Sequence, residues 1–172
     1  MAPYTTIELT RIAPDPGDGK RLELDLDPGP VRVWVEEYTF EPHPARAQLE
    51  VSRTAAGYAI KLDFAGEVVG PCTRCLGPAR VRVEVEAREV DQPRAEDEEL
   101  RSPYVTEGEL DVTAWAHDAL VLSMPQQLLC RPDCAGLCPV CGETLNDAPP
   151  GAHDHPQEPD PRWAKLRELK LD

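Results

Sequence analysis

Four cysteines within twelve positions, Cys130, Cys134, Cys138 and Cys141, constrain this chain more than any other feature. They are spaced C-x3-C-x3-C-x2-C, and the last pair closes a Cys-Pro-Val-Cys-Gly turn. Such a turn brings two thiolates to about 2.3 Å from one ion, with Pro139 stiffening it and Gly142 free to take a positive φ. The plainer alternative is a set of buried or disulfide-bonded cysteines. Zinc is preferred on spacing. Its role is expected to be structural, because four thiolates fill a tetrahedral shell and leave no position for water or substrate.

Cys72 and Cys75 form a second C-x2-C turn and leave the ligand set open. In a zinc ribbon, two such turns distant in sequence share one ion, so Cys72 and Cys75 are alternative ligands that can meet Cys138 and Cys141, or Cys130 and Cys134. The local four are preferred because a short loop costs less entropy to close, although the penalty grows slowly with length. A redox dithiol is a further alternative, with Arg74 able to lower a thiol pKa. Against it, this turn lies between two strands, whereas a thioredoxin-like pair sits at a helix N-terminus.

Acids outnumber bases by 32 to 18, a formal net charge of −14. That excess repels phosphate backbones and excludes the usual basic footprint of a nucleic-acid binder. Positively charged proteins are its natural complement. No signal-peptide pattern opens the chain and no run of 18 apolar residues occurs, so a cytoplasmic protein is expected. In a reducing compartment clustered cysteines favour metal over disulfides.

Thr6 to Arg11 is a short strand candidate. Leu22, Leu24 and Leu26, then Val31, Val33 and Val35, alternate with polar residues. These two strands, separated by Pro28-Gly29-Pro30, are expected to pair antiparallel. The same period continues through Ala47, Leu49 and Val51, through Tyr58 to Phe64, and through Val81, Val83 and Val85. The acid-rich stretch Glu89 to Arg101 reads as a solvated linker. A helix is predicted near 111–124, with Asp111 as its N-cap and Val112, Trp115, Ala116, Ala119 and Leu122 on one face. His117 lies off that stripe and reads as solvated.

After the cysteines, the stretch from Asn146 to Asp160 reads as a linker in which His153 and His155 can reach a metal but are taken as solvated. A short terminal helix is predicted from Asp160 and Pro161, with Trp163, Leu166 and Leu169 as its stripe. The fold class is therefore α+β. An antiparallel sheet or small open barrel fills the N-terminal two-thirds, followed by a helix, a cysteine-rich zinc-type loop and a short C-terminal helix. Residues 1–128 form the β-rich domain, and residues 129–172 the metal-binding loop, acidic linker and terminal helix.

Three stretches resemble a known family, the YceD-type large-ribosomal-RNA-subunit accumulation proteins of bacteria and plastids. They are Cys-Thr-Arg-Cys-Leu-Gly-Pro at 72–78, Glu-Leu-Asp-Val-Thr at 109–113 leading to Ala-Leu-Val-Leu-Ser-Met-Pro at 119–125, and the cysteine segment through Leu145-Asn146, closed by Asp-Pro-Arg-Trp-Ala-Lys-Leu. The resemblance implies a non-enzymatic role in accumulation of large-subunit (23S) ribosomal RNA. One departure is Gly151, His153 and His155, where many members carry further cysteines; it counts against a second metal site there. The charge turns the expected partner from RNA to a basic ribosomal protein or a large-subunit assembly factor. A zinc-binding adaptor in transcription or RNA metabolism is the alternative, although no basic recognition helix is visible. A metal-dependent hydrolase would need an open coordination site and a paired acid or base, and no His-Glu pair at helical spacing is present.

Overall fold

The computed structural model of the chain describes residues 6–155, so the predicted terminal helix lies outside the described residues. The strands are β1 (Thr6–Glu8), β2 (Gly19–Leu26), β3 (Val31–Val33), β4 (Glu36–Glu41), β5 (Ala45–Arg53), β6 (Tyr58–Pro71), β7 (Pro78–Asp91), β8 (Val105–Thr106) and β9 (Glu109–Asp111). One-turn α1 (Leu9–Ile12) follows β1, and α2 (Val112–Ser123) follows β9. The architecture is α+β with an open antiparallel sheet. Strand β6 is its spine: β7 pairs along one edge over the whole length, from Tyr58↔Asp91 to Pro71↔Pro78. Along the other edge β5 takes residues 58–64 and β4 takes residues 67–69.

Strands β4 and β5 therefore run end to end, with residues 42–44 bulging between them. The handover falls opposite Gly66, where a Cβ would run into the Glu41 carbonyl and the Phe40 ring. Strands β2 and β3 repeat the arrangement one position out, β2 on β5 and β3 on β4. They do not pair with each other, contrary to the expectation from their short connection. Two prolines in Pro28-Gly29-Pro30 interrupt the run without reversing it, so the chain continues in one direction beside the β4–β5 ribbon. The reversal comes at residues 34–35, where Trp34 takes a φ of 60° and both side chains stand in solvent at the β3–β4 tip.

Period-two alternation places Leu24 and Leu26, Leu49 and Val51, Ile60, Leu62 and Phe64, and Val83 and Val85 in one core. The small sheet β1–β9–β8 and helix α2 share that core through Leu9, Leu110, Val112 and Trp115. Strand β1 stops at Glu8, earlier than the period suggests, and α1 turns Leu9 fully inward. In α2 the buried stripe is Val112, Trp115, Ala116, Ala119 and Leu120, while Leu122 is 87% exposed. The inward face thus follows i, i+3, i+4, i+7 and i+8 and leaves Leu122 outside. His117 is half-buried, its Nδ1 2.8 Å from the Pro28 carbonyl, so it fastens the helix to the β2–β3 connection.

Residues 89–101 are more ordered than a solvated linker. Strand β7 runs through Asp91, Gln92 N–H donates to the Leu100 carbonyl, and the Arg101 guanidinium closes onto the Ala95 carbonyl. Asp111 caps α2 as its sequence position predicts, its Oδ1 accepting from Ala114 N–H at 2.9 Å. Asp111→Ala is expected to cost about 1 kcal/mol, a fall in Tm of about 2–4 °C for a chain of this size. Thermal unfolding followed by circular dichroism measures it, and an unchanged Tm would show the cap to be idle.

Candidate metal centre

The longest hairpin carries the first pair of thiols. Residues 72–77 turn β6 into β7, held by Cys72 N–H to the Gly77 carbonyl and Leu76 N–H to the Cys72 carbonyl, with Leu76 at a φ of 59°. The chain leaving α2 is drawn to this tip. Leu128 is buried in the main core, and its carbonyl accepts from Thr73 N–H at 2.8 Å. Arg74 reaches across to the Cys134 carbonyl at 3.0 Å and to Gln127 at 3.3 Å. Cys130 and Cys134 thereby arrive beside Cys72 and Cys75.

The four ligand atoms of Cys72, Cys75, Cys130 and Cys134 all lie within 4.8 Å of one another. Cys72 Sγ is 3.8 Å from Cys134 Sγ, and Cys75 Sγ is 3.6 Å from Cys130 Sγ. Thiolates about 2.3 Å from a tetrahedral ion sit about 3.8 Å apart, whereas a disulfide holds its sulfurs at about 2.0 Å. All six cysteines are free. The donor set and its spacing fit a four-thiolate ion.

The electrostatics point the same way. Burial pushes the Cys72 thiol up, but N–H groups of Arg74, Cys75 and Cys130, with the Cys75 thiol, pull it down further, to about 6. Cys134 is lowered by the Asn146 amide, against a smaller opposing effect of burial, with help from Gly136 N–H and neighbouring thiols. Cys130 is pushed up to about 12 by lost solvation and by its neighbours Cys75, Cys134 and Cys72. Four clustered sulfurs cannot all carry charge unaided. A divalent cation removes that conflict.

Cys138 and Cys141 lie in a different cluster. Residues 137–144 make a small hairpin: Leu137 bridges Thr144, Cys138 N–H donates to the Glu143 carbonyl, and Gly142 takes a φ of 75°. The Cys138 thiol is lowered first by the N–H of Cys141 and then by that of Val140, as suits a metal-binding turn. Around this hairpin tip come His153 and His155, again with all four ligand atoms within 4.8 Å. The local quartet preferred from spacing is thus divided two and two, and the alternative ligands Cys72 and Cys75 join Cys130 and Cys134. His153 and His155, read as solvated from sequence, sit at a cluster. Their signal was the His-x-His twelve residues beyond Cys141, close to the C-x2-C and paired-His spacing of zinc sites.

Fold and site together define a small antiparallel α+β protein with, among the described residues, two cysteine-rich clusters, each able to hold a metal ion. Its family follows from comparison. The family described as "Large ribosomal RNA subunit accumulation protein YceD" matches residues 60–170, a span that includes both clusters. The chain belongs to that family. It is similar to uncharacterized proteins of Mycobacterium bovis and Mycobacterium tuberculosis, each 35% identical over 98% of this chain and 83% of the relative. An uncharacterized protein of Mycobacterium leprae is 31% identical over 94% of this chain and 76% of its own length. No solved structure gives a significant match.

Proposed function

We propose that this chain is a non-enzymatic cytoplasmic factor that supports accumulation of large-subunit (23S) ribosomal RNA by contacting a basic ribosomal protein or assembly factor. A structural zinc ion at Cys72, Cys75, Cys130 and Cys134 holds the cysteine segment to the β6–β7 tip. Family membership supports the ribosomal context, and the observation that carries the protein-partner mechanism is how the basic side chains are used. Arg46 pairs with Glu23 and Asp25, Arg80 with Glu41 and Glu67, Arg88 with Glu86, and Arg131 with Asp147. Cations already committed to carboxylates, on a chain of net charge −14, make a poor grip for phosphate. Among the described residues no helix is long and apolar enough to cross a membrane. The thiol redox alternative is weakened by Cys72, which is fully buried, since exchange needs an accessible sulfur.

The test is a pair of binding measurements on the full chain. A basic large-subunit protein should bind, with an association rate falling about tenfold or more as salt is raised through the physiological range. Naked 23S RNA should bind weakly or not at all. Neutralising Glu96, Asp97, Glu98 and Glu99 together should slow association with the basic protein. Tight, salt-resistant RNA binding in a gel shift would overturn the protein-partner mechanism.

A further inference from the structure

We propose a second, separate metal centre, in which Cys138, Cys141, His153 and His155 hold a zinc-type divalent ion that fastens residues 147–155 back onto the 137–144 hairpin. The argument is independent of the ribosomal reading. Cys141 Sγ lies 3.3 Å from His153 Nδ1, close to the separation of about 3.5 Å that a thiolate and an imidazole have on one tetrahedral zinc. The two imidazole rings stand 6.0 Å apart between centroids and tilted by 55°, which leaves room for both to turn an edge to one ion. His155 Nε2 is shut away from solvent with no hydrogen-bond partner. An unpaired buried ring nitrogen is costly unless something satisfies it, and a metal ion does so.

Apart from the Arg131–Asp147 ion pair at its start, the chain between the cysteines and the histidines offers little else to hold the return. Residues 147–155 read Asp-Ala-Pro-Pro-Gly-Ala-His-Asp-His, without one large apolar side chain. The path is nevertheless a succession of tight turns, Ala148 N–H to Leu145, Ala152 N–H to Pro149 and Asp154 N–H to Gly151, which ends with both imidazoles at the knuckle. A hydrophobic core cannot order such a segment, whereas metal ligation can. The two centres differ in kind. One joins residues 62 apart with thiolates on the β6–β7 tip; the other is local, mixed nitrogen and sulfur, with Cys141 exposed. The mixed centre is expected to be the more exchangeable of the two.

The experiment loads the purified full chain with excess zinc, desalts it and counts metal by elemental analysis. The wild-type chain should retain two equivalents, one for each cluster. His153→Ala/His155→Ala should retain one, with an unchanged β-sheet circular-dichroism spectrum, and under a chelator the wild-type chain should release one equivalent ahead of the other. Cobalt substitution identifies the ligands. One of the two cobalt equivalents should show the weaker sulfur-to-metal absorption of two thiolates, and only that component should vanish in the histidine double variant. His155→Cys should restore two equivalents with stronger sulfur-to-metal absorption, so loss through general misfolding is distinguished from loss of a ligand. A wild-type chain that retains one equivalent, or a histidine double variant that retains two, would overturn the proposal.

Discussion

Cys134→Ser should abolish metal binding at the four-thiolate cluster and, with it, the attachment of residues 130–147 to the β6–β7 tip. Cys134 is 1% exposed, packs with Cys72 and Ala79, and its thiol accepts from the Asn146 amide at 3.5 Å. Structural zinc contributes about 10–16 kcal/mol of apparent binding free energy in small zinc domains. The small cluster around Cys72 and Ala79 offers far too little apolar area to replace it. The main β-core does not include Cys134, so the sheet should persist. The expected result is a loss of one metal equivalent, loss of amide-exchange protection across 130–136 and a retained β spectrum. Exhaustive chelation of the wild-type chain, which empties both clusters, should expose the same segment and also keep the β spectrum. Cys75→Ser is the sharper arm. It should also remove an equivalent, and if metal content stays at the wild-type value, Cys75 is no ligand and the local quartet has to be restored.

Leu62→Ala should produce the largest loss in the sheet itself. Leu62 is fully buried at the middle of β6, opposite Leu49 on one side and Ala87 on the other. Removing its branched end leaves a cavity walled by strands that cannot collapse without breaking their ladders, a cost of about 2–5 kcal/mol. Urea unfolding should show a lower midpoint with an unchanged slope. Metal content of the folded variant should match wild type, because the cysteine clusters lie beyond the hairpin tip. A loss under 1 kcal/mol would mean that β6 is not the spine of the core.

Much of this protein can be read from its sequence. Period-two alternation at Leu22–Leu26, Tyr58–Phe64 and Val81–Val85 is a local consequence of burying one face of a strand, so it needs no knowledge of partners. The Asp111 cap and the α2 stripe are equally local, as is the C-x2-C turn at Cys138, where Gly142 supplies the positive φ. Pairing is different. Whether β2 meets β3 or β5 depends on the ribbon that β4 and β5 form along β6, and Pro28-Gly29-Pro30 is compatible with both. Loop entropy favours the local quartet by only about 1.4 kcal/mol for a fivefold difference in loop length. In the folded chain the sheet has already carried Cys72 and Cys75 to the end of a hairpin of two 14-residue strands, where Leu128 delivers Cys130 and Cys134. The residue types and spacings of the six cysteines therefore point to metal as the chemistry to look for, while the two histidines read as solvated. Which of these side chains come together is decided only by tertiary structure, because β6 and β7 absorb the closure cost that sequence distance alone would assign.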